Sequence, residues 1–340
     1  MARTHLQLAA LATAAVPNLQ IVKSASFGNP NTGEFESALL VASDGRSLII
    51  RVPRSELAEA EQSSDLVALR ALGAGVRSRL PFAVSSYLGQ APVADTRAVV
   101  YEFVFGSKLS LTSIQNSPRL CNSIGRGIAA IHSIPTSVVA DAGLPLQQPS
   151  GSAQRVQQLI SNSFATGLVP TVLHERWQLS ATNSRLWQFT PTVINGSLGA
   201  DSFLVSDEEL VGLLGWQTLS VGDPARDLSW VVGSGIESAA AAVLNSYARD
   251  LGIGEPEALA EDSPLILRAR LYSELEVAKW LLHGVSAKST SIVDDAVRML
   301  GVLSERVEDA EHRPLTPKTE PVLTVDEVAE MLARSRPDSN

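Results

Sequence analysis

Hydrophobic residues alternate with polar residues along several short stretches of the first hundred residues. A repeat of two residues is the pattern of half-buried β-strands. Strands are predicted at residues 19–26, 36–42, 47–52, 80–87 and 98–103. Asp44-Gly45, which separates the second and third stretches, is a strong hairpin signal. The pattern therefore predicts a small antiparallel sheet, with helices at about 6–16 and 55–72.

Helical periodicity replaces this alternation after about residue 110. The segment from Pro118 to His132 follows Ser117, a suitable N-cap, and has proline at the first helical position. Its apolar residues recur every three or four positions on one face. Further helices are predicted at 152–165, 170–182, 236–251, 264–285 and 290–307, and a loop at 136–151. We therefore predict an α+β protein.

Short strands interrupt the helical half between residues 191 and 230. Val193 and Ile194 lead into a polar loop at 195–202, and a hairpin follows with its turn at 207–209. The run 222–224, Gly-Asp-Pro, then opens a helix with proline at a plausible first position. This succession of strand, polar loop, hairpin and helix organises the rest of the chain.

The same succession resembles the catalytic core of the aminoglycoside and macrolide phosphotransferases. The family pattern is His-Gly-Asp-Leu-His-x-x-Asn, a strand, a hairpin, Ile-Asp-Trp and Gly-Asp-Pro-x-x-Asp-Leu. The chain matches it at Gly196, Leu198, Trp216, Gly222, Asp223, Pro224 and Asp227. The resemblance covers about residues 5–309 and implies a two-lobed protein-kinase-like fold. It implies a small antiparallel β lobe at 1–105, a larger, mainly helical lobe at 106–310, and a linker with a short helix at 311–340.

Four positions depart from the family pattern. Asn195 stands where the family has His, and Ser197 where it has the catalytic-base Asp. Ser202 and Gly215 replace the metal-binding Asn and Asp. Phosphoryl transfer uses metal ions to neutralise phosphate charge and a carboxylate to position the attacking hydroxyl, and each missing role typically lowers the rate by about 10²-fold or more. We expect a pseudokinase that acts as a binding or regulatory module, with weak or absent magnesium binding.

The resemblance also locates a nucleotide cleft, although whether ATP binds is left open. Arg51 occupies the position of the phosphate-binding lysine, and its planar fork differs in geometry from an ammonium. Asp65 is the best-aligned partner acid for an ion pair, and Glu61 is the alternative. Glu102 and Val104 lie in the hinge, where backbone groups would meet an adenine.

Three matching residues are assigned structural roles by the resemblance. Gly196 and Asp223 belong to the retained frame, and Asp227 is expected to brace the backbone of the loop at 195–198. Bracing of this kind is needed for folding whether or not catalysis survives.

Two enzymatic alternatives stay open. Asp201, beside the lost Asn position, offers a non-standard metal site for an active ATP-dependent small-molecule phosphotransferase, supplemented by Glu208 or Asp223. A different transfer reaction in the same cleft is the other alternative, but no nucleophile and base stand at a recognisable spacing.

Composition excludes other classes of function. A net charge of −9 argues against a nucleic-acid partner, because phosphate neutralisation needs clustered Lys and Arg. No apolar run approaches the roughly 18 residues that span a membrane, so no membrane partner is expected. The single cysteine, Cys121, is consistent with a reducing, cytoplasmic location. The apolar run at 6–16 resembles a signal peptide, but it is short and interrupted, and a packed helix is favoured.

The C-terminal segment predicts a separate short helix. A proline-containing linker at 311–323 precedes Thr324, which is suited to cap a helix through Arg334. An apolar stripe follows the helical repeat at Val325, Val328, Met331 and Leu332. We expect the helix at 324–334 either to reach a protein partner or to fold back onto the large lobe.

Overall fold

A computed structural model describes residues 3–28, 33–253, 259–260 and 263–309. The predicted C-terminal helix at 324–334 and its linker lie outside the described residues. The first lobe begins with α1 (His5–Ala15), whose N-terminus is closed by the reciprocal side-chain and backbone hydrogen bonds of Thr4 and Gln7. Its remaining elements are β1 (Ile21–Ser26), β2 (Phe35–Ala42), β3 (Ser47–Pro53), α2 (Glu56–Ala71), α3 (Ala74–Arg77), β4 (Tyr87–Val93) and β5 (Thr96–Glu102).

The five strands form one antiparallel sheet in the order β1-β2-β3-β5-β4. Both faces of β5 are buried, and they belong to different cores. Ala98 and Val100 join the core between the sheet and α1, whereas Val99 and Tyr101 face the core that α2 shares with the second lobe. The predicted alternation therefore becomes a two-sided central strand, because a helix covers each face of the sheet.

The C-terminal end of α2 is held by one arginine. Arg77 on α3 donates to the carbonyl oxygens of Leu69 and Leu72, which satisfies part of the helix end. The same guanidinium donates to the carbonyls of Val84 and Ser85 on the way to β4. Burial lowers the pKa of Arg77 from its usual value, and Glu102 opposes that shift.

The second lobe is mainly helical. Its helices are α4 (Leu111–Asn116), α5 (Pro118–His132), α6 (Thr136–Asp141), α7 (Pro149–Phe164), α8 (Thr171–Thr182), α9 (Ala225–Val232), α10 (Glu237–Leu251), α11 (Pro264–Ser286) and α12 (Thr290–Glu308). Its short strands are β6 (Ser107–Lys108), β7 (Thr192–Ile194), β8 (Phe203–Ser206), β9 (Glu209–Leu213) and β10 (Ser220–Gly222). The α+β architecture of a small sheet lobe and a helical lobe is therefore present as predicted.

Two small sheets shape the site. β7 pairs with β10, with Ile194 opposite Ser220, and β6, β8 and β9 form a second antiparallel sheet. The loop that leaves β7 therefore begins beside the end of the loop that enters β10. This pairing brings residues 195–202 against residues 214–219.

Residues 80–87 are not a strand, contrary to the sequence prediction. Leu80, Phe82 and Val84 are buried at every second position, as the pattern required. The backbone instead pairs with β9 at Ala83, whose N–H donates to Val211 and whose carbonyl accepts from Leu213. It meets the five-stranded sheet only at its end, where the Ser86 carbonyl accepts the Glu102 N–H and Tyr87 begins β4. The alternation of apolar and polar residues predicted correctly which side chains are buried. It could not show that most of the segment contacts the other lobe and does not join the sheet.

Two smaller boundaries also differ. The predicted loop at 136–151 contains α6, because Pro135 starts a short helix. Pro224 is the N-cap of α9 instead of its first residue, and it already has helical dihedral angles. In the described ranges, no helix is long and apolar enough to cross a membrane.

Candidate functional site

The polar loop after β7 is fixed from below by a buried carboxylate. Asp227 on α9 accepts hydrogen bonds from the backbone N–H of Asn195 (2.8 Å) and of Gly196 (2.7 Å). Both oxygens of the fully buried carboxylate are used, one for each donor. Arg226 donates to the Gly196 carbonyl at 2.6 Å. The start of the loop therefore has no freedom to change its path without losing charge-assisted hydrogen bonds.

His132 at the end of α5 extends this buried group. Its Nε2 lies 3.3 Å from Asp227 Oδ2, and its Nδ1 lies 2.8 Å from the hydroxyl of Tyr247. Burial, followed by the nearby charge of Asp227, raises the pKa of Tyr247 above its usual value. The group lies beneath the loop and links α5, α9 and α10, so it is structural.

The side chain of Asn195 points across to the neighbouring loop. Its Nδ2 donates to the Gly215 carbonyl at 2.7 Å, and its Oδ1 accepts from the Ser197 N–H at 3.2 Å. The Thr218 hydroxyl donates to the Asn195 carbonyl and lies 2.7 Å from the Ser197 hydroxyl. The residues at the family's His and Asp positions are therefore bound to the loop at 215–218.

The two positions where the family holds metal do not fit a metal ion. The Ser202 hydroxyl accepts the Gly199 N–H at 3.3 Å, and a neutral hydroxyl is a weak ligand. Gly215 has no side chain, and its φ of +75° favours glycine. Among the residues that the structure describes, no group of three His, Cys, Asp or Glu side chains could hold a metal ion. Neither Ser202 nor Gly215 therefore supplies a charged oxygen ligand.

The acids proposed to replace the lost ligands are not brought together. Asp201 is exposed on the 3₁₀ turn Ala200–Ser202, and Glu208 is exposed in the hairpin turn with a φ of +59°. Asp223 is fully buried and accepts Arg268 Nε at 2.7 Å and Nη2 at 3.1 Å. Its carboxylate also accepts the hydroxyl of Tyr272 at 3.1 Å, so it is fully engaged in an internal ion pair.

Arg51 and Asp65, a possible ion pair from the sequence, do not pair in the structure. The Arg51 guanidinium lies over the Phe35 ring, 3.8 Å from its centroid. Asp65 instead accepts the backbone N–H of Trp216 at 2.9 Å. Burial raises the pKa of Asp65, and the Trp216 hydrogen bond and the charge of Arg51 only partly oppose it. The guanidinium therefore makes a cation–π contact with Phe35 in place of an ion pair with Asp65.

The hinge carries aromatic rings beside its backbone. Glu102 is the last residue of β5, and its N–H donates to the Ser86 carbonyl. Phe103 lies in edge contact with Phe27 (5.5 Å between centroids) and with Phe105 (5.0 Å). In the described part of the chain, the Val104 N–H donates to no backbone carbonyl. A planar ring with a hydrogen-bond acceptor suits this combination of an available N–H and apolar surfaces.

Sequence reasoning missed several groups that hold this site. Thr218 carried no signal, because a lone threonine before a short strand is common. Tyr247 is 115 residues from His132, so only the fold brings their side chains together. Arg226 stands next to Asp227 in a recognised motif, and its long donor side chain was the one available hint.

The comparisons with known proteins agree with this architecture. No curated protein sequence matches the chain. The structure of macrolide 2'-phosphotransferase MphH from Brachybacterium faecium, an apoenzyme, is similar with a TM-score of 0.70 and 20% identity, over 87% of this chain and 97% of that one. A type I macrolide 2'-phosphotransferase gives a TM-score of 0.70 and 23% identity, over 88% and 98%. The GDP complex of wild-type aminoglycoside 2'-phosphotransferase-IIIa gives 0.69 and 17%, over 89% and 99%.

These structural similarities show the fold. The sequence profile of the phosphotransferase enzyme family (APH) matches residues 29–262, which is more than half of the chain and includes the loop, the hairpin and α9. The chain therefore belongs to the phosphotransferase enzyme family.

Proposed function

We propose that this chain is a catalytically impaired member of its family that acts as a binding or regulatory module. One observation carries the proposal: the residues at three of the four key positions, Asn195, Ser197 and Gly215, are used to hold two loops together. The Asn195 amide binds the Gly215 carbonyl, and the Ser197 hydroxyl is paired with Thr218. None of the four positions supplies a carboxylate or an imidazole.

The chemistry of these groups supports the proposal. A catalytic carboxylate positions the attacking hydroxyl and accepts its proton, whereas the Ser197 hydroxyl is far too weak a base at neutral pH. Ser202 and Gly215 provide no negative charge to hold a metal ion against the phosphates. With about 10²-fold or more lost for each role, ordinary transfer rates are not expected.

The retained parts of the site support a binding role. Asp227 still fixes the start of the loop, and the Val104 N–H still faces no backbone partner among the described residues. These features preserve the shape of a cleft and one hydrogen-bond donor for a planar ring. We therefore propose that a nucleotide binds in the cleft without a requirement for magnesium.

A thermal-shift scan with ATP and magnesium, each alone and both together, tests this function. We expect no additional shift from magnesium in the native chain. The double variant Ser202→Asn with Gly215→Asp should gain a magnesium-dependent shift with ATP, because a ligand that binds only the folded state stabilises it. A native protein with tight, magnesium-dependent ATP binding would contradict the proposal.

An assay of phosphate transfer from ATP to aminoglycoside and macrolide acceptors separates the active alternative. We expect no transfer above background. Transfer that disappears in Asp201→Asn and persists in the matched exposed-turn control Asp207→Asn would instead establish the non-standard metal site. Both acids are exposed and lie on neighbouring turns, so the two variants lose the same charge and differ only in where it is lost.

A further inference from the structure

The large lobe has a long groove on a face built from α10, α11 and α12. Its volume is about 1060 Å³. Ala240 and Leu244 of α10 form one wall, and Met299 and Val302 of α12 form the other. The floor comes from α11, where Ile266, Arg270, Ser273 and Val277 follow a helical repeat. A groove with helical walls and a helical floor is a shape that accepts one amphipathic helix.

One wall of this groove is not covered by the described chain. α12 buries Ala296 and Leu300 against the lobe, yet Met299 and Val302 on an adjacent face are 44% and 45% exposed. Two large apolar side chains one turn apart are a poor choice for a solvated helix face. This wall therefore has the composition of a contact surface.

The chain itself supplies a segment of matching chemistry. Residues 324–334 carry the apolar stripe Val325, Val328 and Leu332, at the i, i+3 and i+7 spacing of a helix that binds in a groove. About ten residues are too short for a stable isolated helix in water, so this segment needs a surface to pack against. The groove offers such a surface.

Length and charge agree with this occupant. α12 ends at Glu308, and the linker at 311–323 reaches up to about 45 Å when extended, beyond the roughly 28 Å length of α12. The acids that line the groove, Glu237, Glu274 and Glu276, lie on α10 and α11, whereas its α12 wall carries Arg298, which is paired with Asp295, and Arg306. The acids of the segment, Asp326, Glu327 and Glu330, therefore suit the α12 wall. A tether of about this length keeps the effective concentration of the segment in the millimolar range, so weak docking is sufficient.

We propose that residues 324–334 bind in cis as a helix in the groove between α10 and α12. Val325, Val328 and Leu332 then contact Leu244, Val302 and their neighbours. Docking covers the exposed apolar wall of the large lobe. This binding is independent of the chemistry of the loop at 195–202, which lies at the opposite, N-terminal end of α9.

Disulfide trapping in the full chain tests this contact. The pair Val302→Cys with Leu332→Cys should form an intramolecular disulfide whose yield is independent of protein concentration. Val302→Cys with Glu330→Cys is the matched control, because Glu330 lies on the opposite face of the predicted helix. The native Cys121 is buried and does not compete. Cross-links that form only between chains would assign the groove to a second copy, and equal yields from both pairs would also overturn the proposal.

Hydrogen exchange provides a second measurement. In the full chain, Leu332→Asp should increase deuterium uptake in α12 and in the facing turns of α10, whereas Glu330→Gln should leave it unchanged. Val302→Asp combined with Leu332→Asp should add little to the single variants, because either change removes the same contact. Unchanged uptake in Leu332→Asp would show that the segment does not bind this groove. Loss of a co-purifying protein from the same variant would then assign the segment to a partner.

Discussion

Asp65 on α2 and Trp216 after β9 are joined by a hydrogen bond of 2.9 Å from the Trp216 N–H to the Asp65 carboxylate. The two residues are 151 positions apart in sequence and lie on opposite sides of the cleft. Trp216 directly follows Gly215, at the lost metal position. The acid that would pair with a phosphate-binding residue in an active relative therefore holds the backbone beside that position.

This contact predicts a specific pH dependence of stability. Burial raises the folded-state pKa of Asp65, so the folded protein binds this proton more readily than the unfolded chain. The contribution of Asp65 to the free energy of unfolding therefore falls as the pH rises from the ordinary carboxylate range through the raised pKa. Asp65→Asn has no such loss and retains an acceptor for Trp216, so its stability should increase relative to the native chain over that interval.

Urea unfolding of both proteins between about pH 4 and pH 8 measures this difference. Asp65→Ala is the control for the hydrogen bond itself. It leaves the buried Trp216 N–H without its acceptor and should cost about 1–3 kcal/mol relative to Asp65→Asn at every pH. Parallel curves for the native chain and Asp65→Asn would show that Asp65 does not titrate abnormally.

Asp227 should be required for stability regardless of activity. Asp227→Ala removes the acceptor of two backbone N–H groups in the loop, at Asn195 and Gly196, and should destabilise the protein by about 1–3 kcal/mol. Asp201→Ala, an exposed acid six residues along the same loop, is the matched control and should change little. Chemical denaturation gives both values. An unchanged free energy of unfolding in Asp227→Ala would disprove the bracing role.

The ion pair between Asp223 and Arg268 should be among the most sensitive sites in the chain. Both side chains are buried, so Asp223→Ala leaves an unpaired guanidinium inside the protein and should cost about 3–5 kcal/mol. Glu276→Ala breaks the exposed pair with Lys279, whose loss should cost at most about 0.5 kcal/mol. Equal effects of the two substitutions, compared by thermal unfolding, would show that burial does not set the energy of these pairs.

Gly215 should tolerate a side chain poorly even where no atom obstructs it. Its φ of +75° lies in the left-handed region, so Gly215→Ala should cost about 1–2 kcal/mol. Gly301 within α12 is the control, because an added Cβ meets nothing within 4 Å and helical dihedrals favour alanine. Gly301→Ala should stabilise the protein by roughly 0.5–1 kcal/mol. A stabilising Gly215→Ala would mean that the loop adopts another conformation.

The sequence was most informative where structure is local. The prediction for α5 matches residue for residue, because Ser117, Pro118 and an unbroken apolar face specify a helix without help from the rest of the chain. The local rules also placed the hairpin and the start of α9, whereas the two-lobed fold was implied by the resemblance to the phosphotransferase family that their order carries. Each of the local signals lies within a few residues and requires only capping, turn or periodicity rules.

Contacts between distant segments could not be predicted in this way. The alternation at 80–87 indicated a strand, but only the fold reveals that Ala83 pairs with β9 across the lobes. An ion pair of Arg51 with Asp65 was one of the alternatives that the sequence left open. In the structure the Arg51 guanidinium lies over Phe35 on the neighbouring strand, and Asp65 accepts the backbone N–H of Trp216. Pairing of long polar side chains depends on which acceptors the tertiary structure brings close, and single-sequence patterns carry no such information.

The position of α2 between the lobes has a mechanical consequence. Near its start, Glu59 binds Thr96 and Arg97 at the tip of the β4–β5 hairpin, and in its second half Asp65 binds Trp216 in the other lobe. α2 therefore makes side-chain contacts with both lobes. The small sheet therefore cannot move away from the second lobe along α2 without breaking one of these contacts.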